Sequence, residues 1–145
     1  MIEASATGLK IRITAIPTFP TGFDITQFAD EADALSIGDV PVAETGVSLN
    51  GDLVSWSVPG KIPASISVLT NTKECDNLET IWMTNRMSAS KIATKDTITM
   101  VVSYPNGTTR VLSNGVMTSG TPMPTATAGG RLSTRTFTFD FELLV

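Results

Sequence analysis

The chain of 145 residues contains no histidine and a single cysteine, Cys75. Without an imidazole, the commonest general base and metal ligand is missing, and so are the catalytic triads that depend on it. One cysteine excludes an intrachain disulfide framework and a thiolate metal cluster. The sequence therefore predicts no catalytic site, no metal site and no cofactor, so we expect a protein that is not an enzyme.

Charge is also sparse. Charged residues make up 17% of the chain, hydrophobic residues 41%, and the formal net charge is −4. An acidic balance argues against a general nucleic-acid-binding surface, which would be basic. A low charge density in a chain rich in Ser, Thr and apolar residues suggests that part of the surface is subunit interface.

Long apolar runs are absent too. No run approaches the ~20 residues that span a bilayer, and the first residues lack the basic start and apolar core of a signal peptide. We expect the protein to be made in the cytoplasm. The length corresponds to one domain, residues 1–145, with neither an internal repeat nor a linker.

What the sequence does contain is alternation. In residues 133–142, Phe137, Phe139 and Phe141 alternate with Thr and acidic side chains, as in a strand buried on one face. Similar alternation occurs near residues 9–16, 64–69 and 96–104, a further strand is expected at 53–58, and Asn106-Gly107 predicts a hairpin turn. Ser113-Asn114-Gly115 predicts another turn, followed by a short strand at 116–119. These patterns predict a mainly β fold, an antiparallel sandwich or half-open barrel with one wetted face.

One helix is expected, over residues 73–87. Asn71 is the predicted N-cap, with Glu74 completing a capping box. An apolar stripe at helical spacing should pack this helix on the outside of the sheet. The stripe, the candidate core face of the helix, consists of Cys75, Leu78, Ile81 and Trp82.

Candidate reactive and ligand-binding residues have simpler explanations. Cys75 begins the apolar stripe and has no histidine partner, so core packing is favoured over a reactive thiol. Trp56 and Trp82 lie on predicted core faces rather than on a ligand platform. The acidic segment 30–33 lacks the ligand spacing of a calcium loop and is interpreted as a solvated loop.

The succession of motifs resembles a known family. The quoted segments are Phe28-Ala-Asp-Glu-Ala-Asp33, Gly46-Val-Ser-Leu-Asn-Gly-Asp52, Pro63-Ala-Ser-Ile-Ser-Val-Leu69, the helix from Asn71 to Arg86, Tyr104-Pro-Asn-Gly107 and Gly129-Gly-Arg-Leu132. In this order, from about Gly8 to the C-terminus, they resemble the tail tube proteins of contractile-tailed bacteriophages, which are similar in fold to the tubes of type VI secretion and of pyocin-like particles.

The resemblance implies a structural role. It implies homomeric, hexameric rings stacked into a tail tube in the virion, with DNA passing through without specific binding. A tail sheath protein outside the tube and baseplate or terminator proteins at its ends are the implied partners. Residues 18–22, 38–50 and 120–130 are weakly charged and predicted to be loops, so they are the candidate arms between subunits.

In such a ring, the polar face of the last strand would line the lumen. An acidic lumen repels phosphates, so the genome would slide without binding. The candidate lumen residues are Thr134, Thr136, Thr138, Asp140 and Glu142, with Ser65 and Ser67 as weaker candidates. Lys10 and Arg12 lie on the polar face of the first strand and would partly cancel this acidity.

Other functions remain open at this point. A ring with the same fold at the tube's end, in a baseplate or terminator, fits the pattern as well. A monomeric β-barrel binding module, with its Trp residues exposed as a carbohydrate platform, is a candidate from another class. Self-assembly into rings would separate the first two from the third.

Overall fold

A computed structural model of the chain describes residues 4–30, 32–89, 92 and 94–145. Glu31 of the acidic segment lies outside these residues. In chain order the elements are β1 (Lys10–Ile16), β2 (Phe19–Ile25), β3 (Leu35–Ile37), β4 (Ala43–Val47), β5 (Leu53–Ser57), β6 (Ile62–Val68), α1 (Lys73–Asn85), β7 (Thr97–Ser103), β8 (Thr109–Gly120) and β9 (Arg135–Leu144).

Seven strands form one antiparallel sheet in the order β2-β1-β7-β8-β9-β6-β3, while β4 and β5 pair only with each other. Strands β1, β6, β7 and β9 alternate buried and accessible side chains along most of their length, so the sheet has one apolar and one polar face. The predicted fold class is confirmed: the protein is mainly β with one helix, and the sheet does not close into a barrel.

The core lies between the apolar face of the sheet and α1. The rings of Phe137, Phe139 and Phe141 are fully buried there. Two glycines of β8 make room for them: a Cβ on Gly115 would lie 2.2 Å from the Phe141 ring, and one on Gly120 would lie 2.7 Å from the Phe137 ring. The large side chains of β9 therefore pack on positions of β8 that have none.

The start of α1 differs from the prediction in its cap. Thr72, not Asn71, is the N-cap, because its hydroxyl accepts a hydrogen bond from the backbone N–H of Cys75 at 3.2 Å. Asn71 instead adopts a positive φ of 59° in the preceding turn. Glu74 does not close a capping box: its carboxylate accepts the backbone N–H groups of Thr26 and Gln27, which fixes the chain leaving β2.

The end of α1 comes at Asn85, two residues earlier than predicted. The Asn85 amide donates to the carbonyl of Ile81 and to the buried carboxylate of Asp96, each at 2.8 Å. The backbone N–H of Asp96 donates back to Asn85, and Thr18 donates to the same carboxylate at 2.6 Å. This network ties the end of the helix to the start of β7.

Three loop predictions are wrong. Residues 18–22 belong largely to strand β2, which tolerates Pro20 because it is an edge strand and accommodates Gly22 where the register with β1 shifts. Residues 38–50 include β4. The expected turn at 113–115 and short strand at 116–119 are parts of the single strand β8, in which Asn114 takes a positive φ of 53° at a bulge against β7.

In the described part of the chain, no helix has the length and apolarity needed to cross a bilayer.

Candidate assembly surfaces

The polar face of the sheet carries most of the predicted lumen residues. Thr138 lies opposite Ser65 and Thr136 opposite Ser67, with hydroxyl oxygens 3.3 Å and 3.0 Å apart. Ser119 and Ser36 extend the first pair, so four hydroxyl side chains form a row across β8, β9, β6 and β3. This row offers hydrogen-bonding groups without charge.

Two predicted residues differ from the rest of this group. Ser67 is only 5% exposed, and its hydroxyl is hydrogen-bonded to that of Thr136. It is therefore too buried to line a channel. Thr134 lies just before β9, partly buried, and belongs to the preceding loop.

The acidic end of this face is partly neutralised. The carboxylate of Asp140 lies 3.1 Å from the ammonium group of Lys61, which precedes the neighbouring strand β6. Glu142 is exposed and forms no ion pair with any residue that the structure describes. The uncompensated negative charge at this end therefore resides on Glu142.

The basic end of the same face is neutralised within the subunit. Lys10 and Arg12 contact the carboxylate of Asp24 on the neighbouring strand, at 3.4 Å and 3.0 Å. Desolvation would raise the pKa of Asp24, but the hydrogen bonds and charges of the two cations outweigh it and the pKa is lowered. These basic residues thus have a partner in their own chain.

A long arm, residues 121–134, connects β8 to β9. A loop was expected at 120–130, and only Gly120 differs, because it is the last residue of β8. Arg135, the first residue of β9, holds this arm down. Its guanidinium donates to the carbonyl of Thr121 at 2.9 Å and 3.2 Å and to that of Pro122 at 2.9 Å. It also lies 3.4 Å from the carboxylate of Glu79 on α1.

Sequence reasoning did not single out Arg135. The alternation of β9 does indicate its position. Arg135 lies two residues before Phe137, so it falls on the same, apolar face of the strand. Its guanidinium also contacts the sulfur of Cys75 at 3.5 Å. Burial raises the pKa of the Cys75 thiol against the opposing effect of Arg135, so this cysteine is a packed and unreactive side chain.

The far end of the arm is fixed by an ion pair. Arg131 donates to both carboxylate oxygens of Asp30, one of these contacts measuring 3.1 Å. The hydrogen bonds from Arg131 lower the pKa of Asp30. Asp30 is therefore an attachment point for the arm rather than only a solvated acid.

The helix presents its apolar stripe to the sheet. Cys75, Leu78 and Ile81 are fully buried. Trp82 is partly buried. Its ring lies close to Gly120, where an added Cβ would come within 2.9 Å of it. The Arg86 guanidinium lies 5.4 Å from the centroid of the Trp82 ring.

The β4–β5 hairpin is the opposite case. Trp56 was expected in the core, but it is 49% exposed, because the hairpin pairs with no other strand of the described chain and its side chains therefore lack a core to enter. The neighbouring apolar side chains are exposed as well: Val42, Val47, Leu49, Leu53 and Val54. The hairpin is thus an apolar projection from the body of the subunit.

No three acidic or cysteine side chains of the described residues lie close enough together to hold a metal ion.

Comparison with solved structures places the fold among parts of contractile injection systems. The chain is similar to one in the sheath/tube terminator of an extracellular contractile injection system (PVC), with a TM-score of 0.55, 16% identity, and coverage of 100% of this chain and 98% of the other. It is also similar to one in the anti-feeding prophage baseplate, with a TM-score of 0.57, 11% identity, and coverage of 100% and 95%.

A third similar chain comes from the tube-terminating cap of the anti-feeding prophage, with a TM-score of 0.54, 12% identity, and coverage of 100% and 92%. No curated protein matches the chain. The family described as "Tail fiber protein gp32" matches residues 2–145. The chain therefore belongs to the tail fiber protein gp32 family.

Proposed function

We propose that the protein forms homomeric rings, hexameric as the resemblance implies, that stack into the tube of a contractile tail and conduct DNA during ejection. In this proposal a sheath protein surrounds the tube, and baseplate or terminator proteins close its ends. The fold shared with chains from tube-terminator and baseplate structures supports a ring-forming subunit.

The observation that carries the proposal is the two-faced sheet. One face is sealed by the helix and the phenylalanine core, whereas the other presents the hydroxyl row and the Asp140–Glu142 end. A wide polar surface with little net positive charge suits a wall past which a polyanion moves, because neutral hydroxyls do not retain phosphates as Lys and Arg do. We assign Ser65, Thr136, Thr138, Asp140 and Glu142 to this wall, with Thr134 at its margin.

The sheet edges support closure into a ring. The seven-stranded sheet ends in β2 on one side and β3 on the other, and neither outer edge has a strand partner within the described residues. Unpaired edges invite pairing with another chain, and cyclic assembly is the usual way to satisfy a head-to-tail contact.

Electron microscopy of the purified protein tests assembly directly. We expect rings with a central channel, and tubes of stacked rings at higher concentration. A protein that stays monomeric by sedimentation velocity at every concentration would contradict ring formation and favour a binding module.

The lumen assignment is tested in assembled particles. Asp140→Lys with Glu142→Lys should slow or block DNA ejection while tubes still form, because it adds positive charge to the wall and leaves Lys61 unpaired. The matched control is Asp33→Lys with Asp76→Lys, the same charge change at exposed positions outside the sheet and the candidate arms. Equal ejection from both double variants would remove Asp140 and Glu142 from the channel.

A terminator ring is the second candidate, favoured by the similar chains found in a sheath/tube terminator and in a tube-terminating cap. The two functions differ in polymerisation. A tube subunit should stack without limit, whereas a terminator should stop at a single ring that binds only the end of a preformed tube.

A further inference from the structure

The β4–β5 hairpin ends in an apolar tip. Val47 and Leu53 lie directly opposite each other, so they share one face, and Leu49 at the turn is fully exposed, at 105%. The turn is closed by hydrogen bonds from Ser48 N–H to the Asp52 carbonyl at 2.8 Å and from Gly51 N–H to the Ser48 carbonyl at 2.9 Å. These hydrogen bonds define the turn that presents the apolar tip.

Such a hairpin is not stable by itself. An isolated two-stranded hairpin is marginal in water, and apolar side chains exposed together usually mark an interaction surface. Because β4 and β5 form no ladder with the main sheet, their own subunit supplies neither a third strand nor a core for the tip. The hairpin needs a surface on another molecule.

A groove of matching chemistry lies on the same chain, at the end of the apolar sheet face remote from Trp82 and Gly120. It has a volume of about 390 Å³ and is lined mainly by aliphatic side chains. Its lining includes Ile37, Ile62, Val102, Leu112 and Leu144, with the exposed Arg110 at the rim. Within the described residues, no carboxylate pairs with Arg110.

Charge complements this apolar match. Residues 43–57 contain two acids, Glu44 and Asp52, and no basic residue. Asp52 precedes Leu53 at the tip, so it would arrive at a groove together with the apolar residues. An acidic, apolar tip and a basic, apolar groove are complementary surfaces of one sequence.

We propose that the β4–β5 hairpin of one subunit inserts into this groove of a second copy of the chain, with Leu49 and Leu53 among the aliphatic residues and Asp52 paired with Arg110. The contact joins two different surfaces, so repeating it generates a ring or a stack rather than a closed dimer. The inference rests on the proposed ring assembly and names the contact that holds it together.

A charge-reversal cycle tests the ion pair. Arg110→Glu and Asp52→Lys should each weaken self-association at least ~10-fold in sedimentation velocity, because each places like charges at the contact. The double variant should recover most of the loss. Lys95→Glu, which reverses another exposed cation, is the matched control and should leave association unchanged.

A disulfide variant tests the geometry independently of charge. Leu49→Cys with Leu144→Cys should give a ladder of cross-linked subunits on a non-reducing gel under mild oxidation, whereas either single variant should stay monomeric. The buried Cys75 should not take part. Both new positions are exposed, so neither change should prevent folding.

The outcomes separate the inference from the proposed function. Wild-type protein that never self-associates overturns both. Wild-type rings or tubes, combined with reversals that have no effect and a double cysteine variant that gives no ladder, overturn the hairpin contact and leave ring assembly standing.

Discussion

The helix-covered end of the sheet and the β4–β5 hairpin use similar apolar residues for opposite purposes. On α1 and β9, Leu78 and the three phenylalanines are fully buried within the chain. On the hairpin, Leu53 is 72% exposed and Trp56 is 49% exposed. Apolar side chains at the first site stabilise the subunit, whereas those at the second can lower the free energy only when another surface covers them.

Stability and the proposed assembly contact therefore lie in separate segments. Among the described residues, β4 and β5 pair only with each other, so changing the hairpin should leave the core intact. The helix contacts the sheet through residues fully buried in the subunit, so changing it should unfold the protein before it affects any interface.

The largest difference in the free energy of unfolding should appear when the same substitution, Leu to Ala, is made separately in each region. Leu78→Ala should lower the free energy of unfolding by ~2–5 kcal/mol, because it leaves a cavity between α1 and the sheet. Leu53→Ala should change it by less than about 0.5 kcal/mol, because the side chain is exposed. Urea denaturation of the dilute subunit measures both, and equal losses would refute the separation of roles.

A smaller effect should follow from releasing the arm. Arg135→Met removes the donors to the carbonyls of Thr121 and Pro122 and should cost about 2–3 kcal/mol. We also expect faster tryptic cleavage after Arg131, because the freed arm becomes accessible. Lys95→Met, an exposed cation replaced by the same residue, is the control. Unchanged cleavage in Arg135→Met would mean that the arm is held elsewhere.

The smallest effect concerns pH. Because the pKa of Asp24 is lowered in the folded state, its ion pairs stabilise the subunit above the unfolded pKa of ~3.9, and this contribution is lost as the pH falls through the folded pKa. The pairs are solvent-exposed, so the contribution should be below about 1 kcal/mol. Asp24→Asn should therefore unfold with a weaker pH dependence in this acidic range than wild type, while Asp39→Asn should follow wild type.

Strand alternation carried most of the fold prediction. β1, β6, β7 and β9 have one buried and one polar face, so their period of two is visible in the sequence. The strand at β5 was also predicted, but its exposure was not, because the sequence does not show that both faces of the hairpin lie outside the core. Trp56 was misplaced for this reason: an aromatic residue in a strand predicts a core only if the strand belongs to one.

Residues that usually end a strand led to wrong predictions where the sheet accommodates them. Pro20 and Gly22 suggested a loop, yet an edge position and a register shift keep β2 in the sheet. Asn114-Gly115 suggested a turn, yet a bulge against β7 keeps β8 continuous. The lumen and arm assignments depend on neighbouring subunits, so the pattern of one chain predicts which faces are polar but not what they meet.

The close approach of Gly115 to Phe141 links the allowed residues at two distant positions in the chain. Any side chain at 115 would need the volume that the ring now occupies, so an alanine there should be accepted only alongside a smaller residue at 141. Substitutions at these two positions should therefore be inherited as a compensated pair. Related chains that change one without the other would have to bend β8 away from β9.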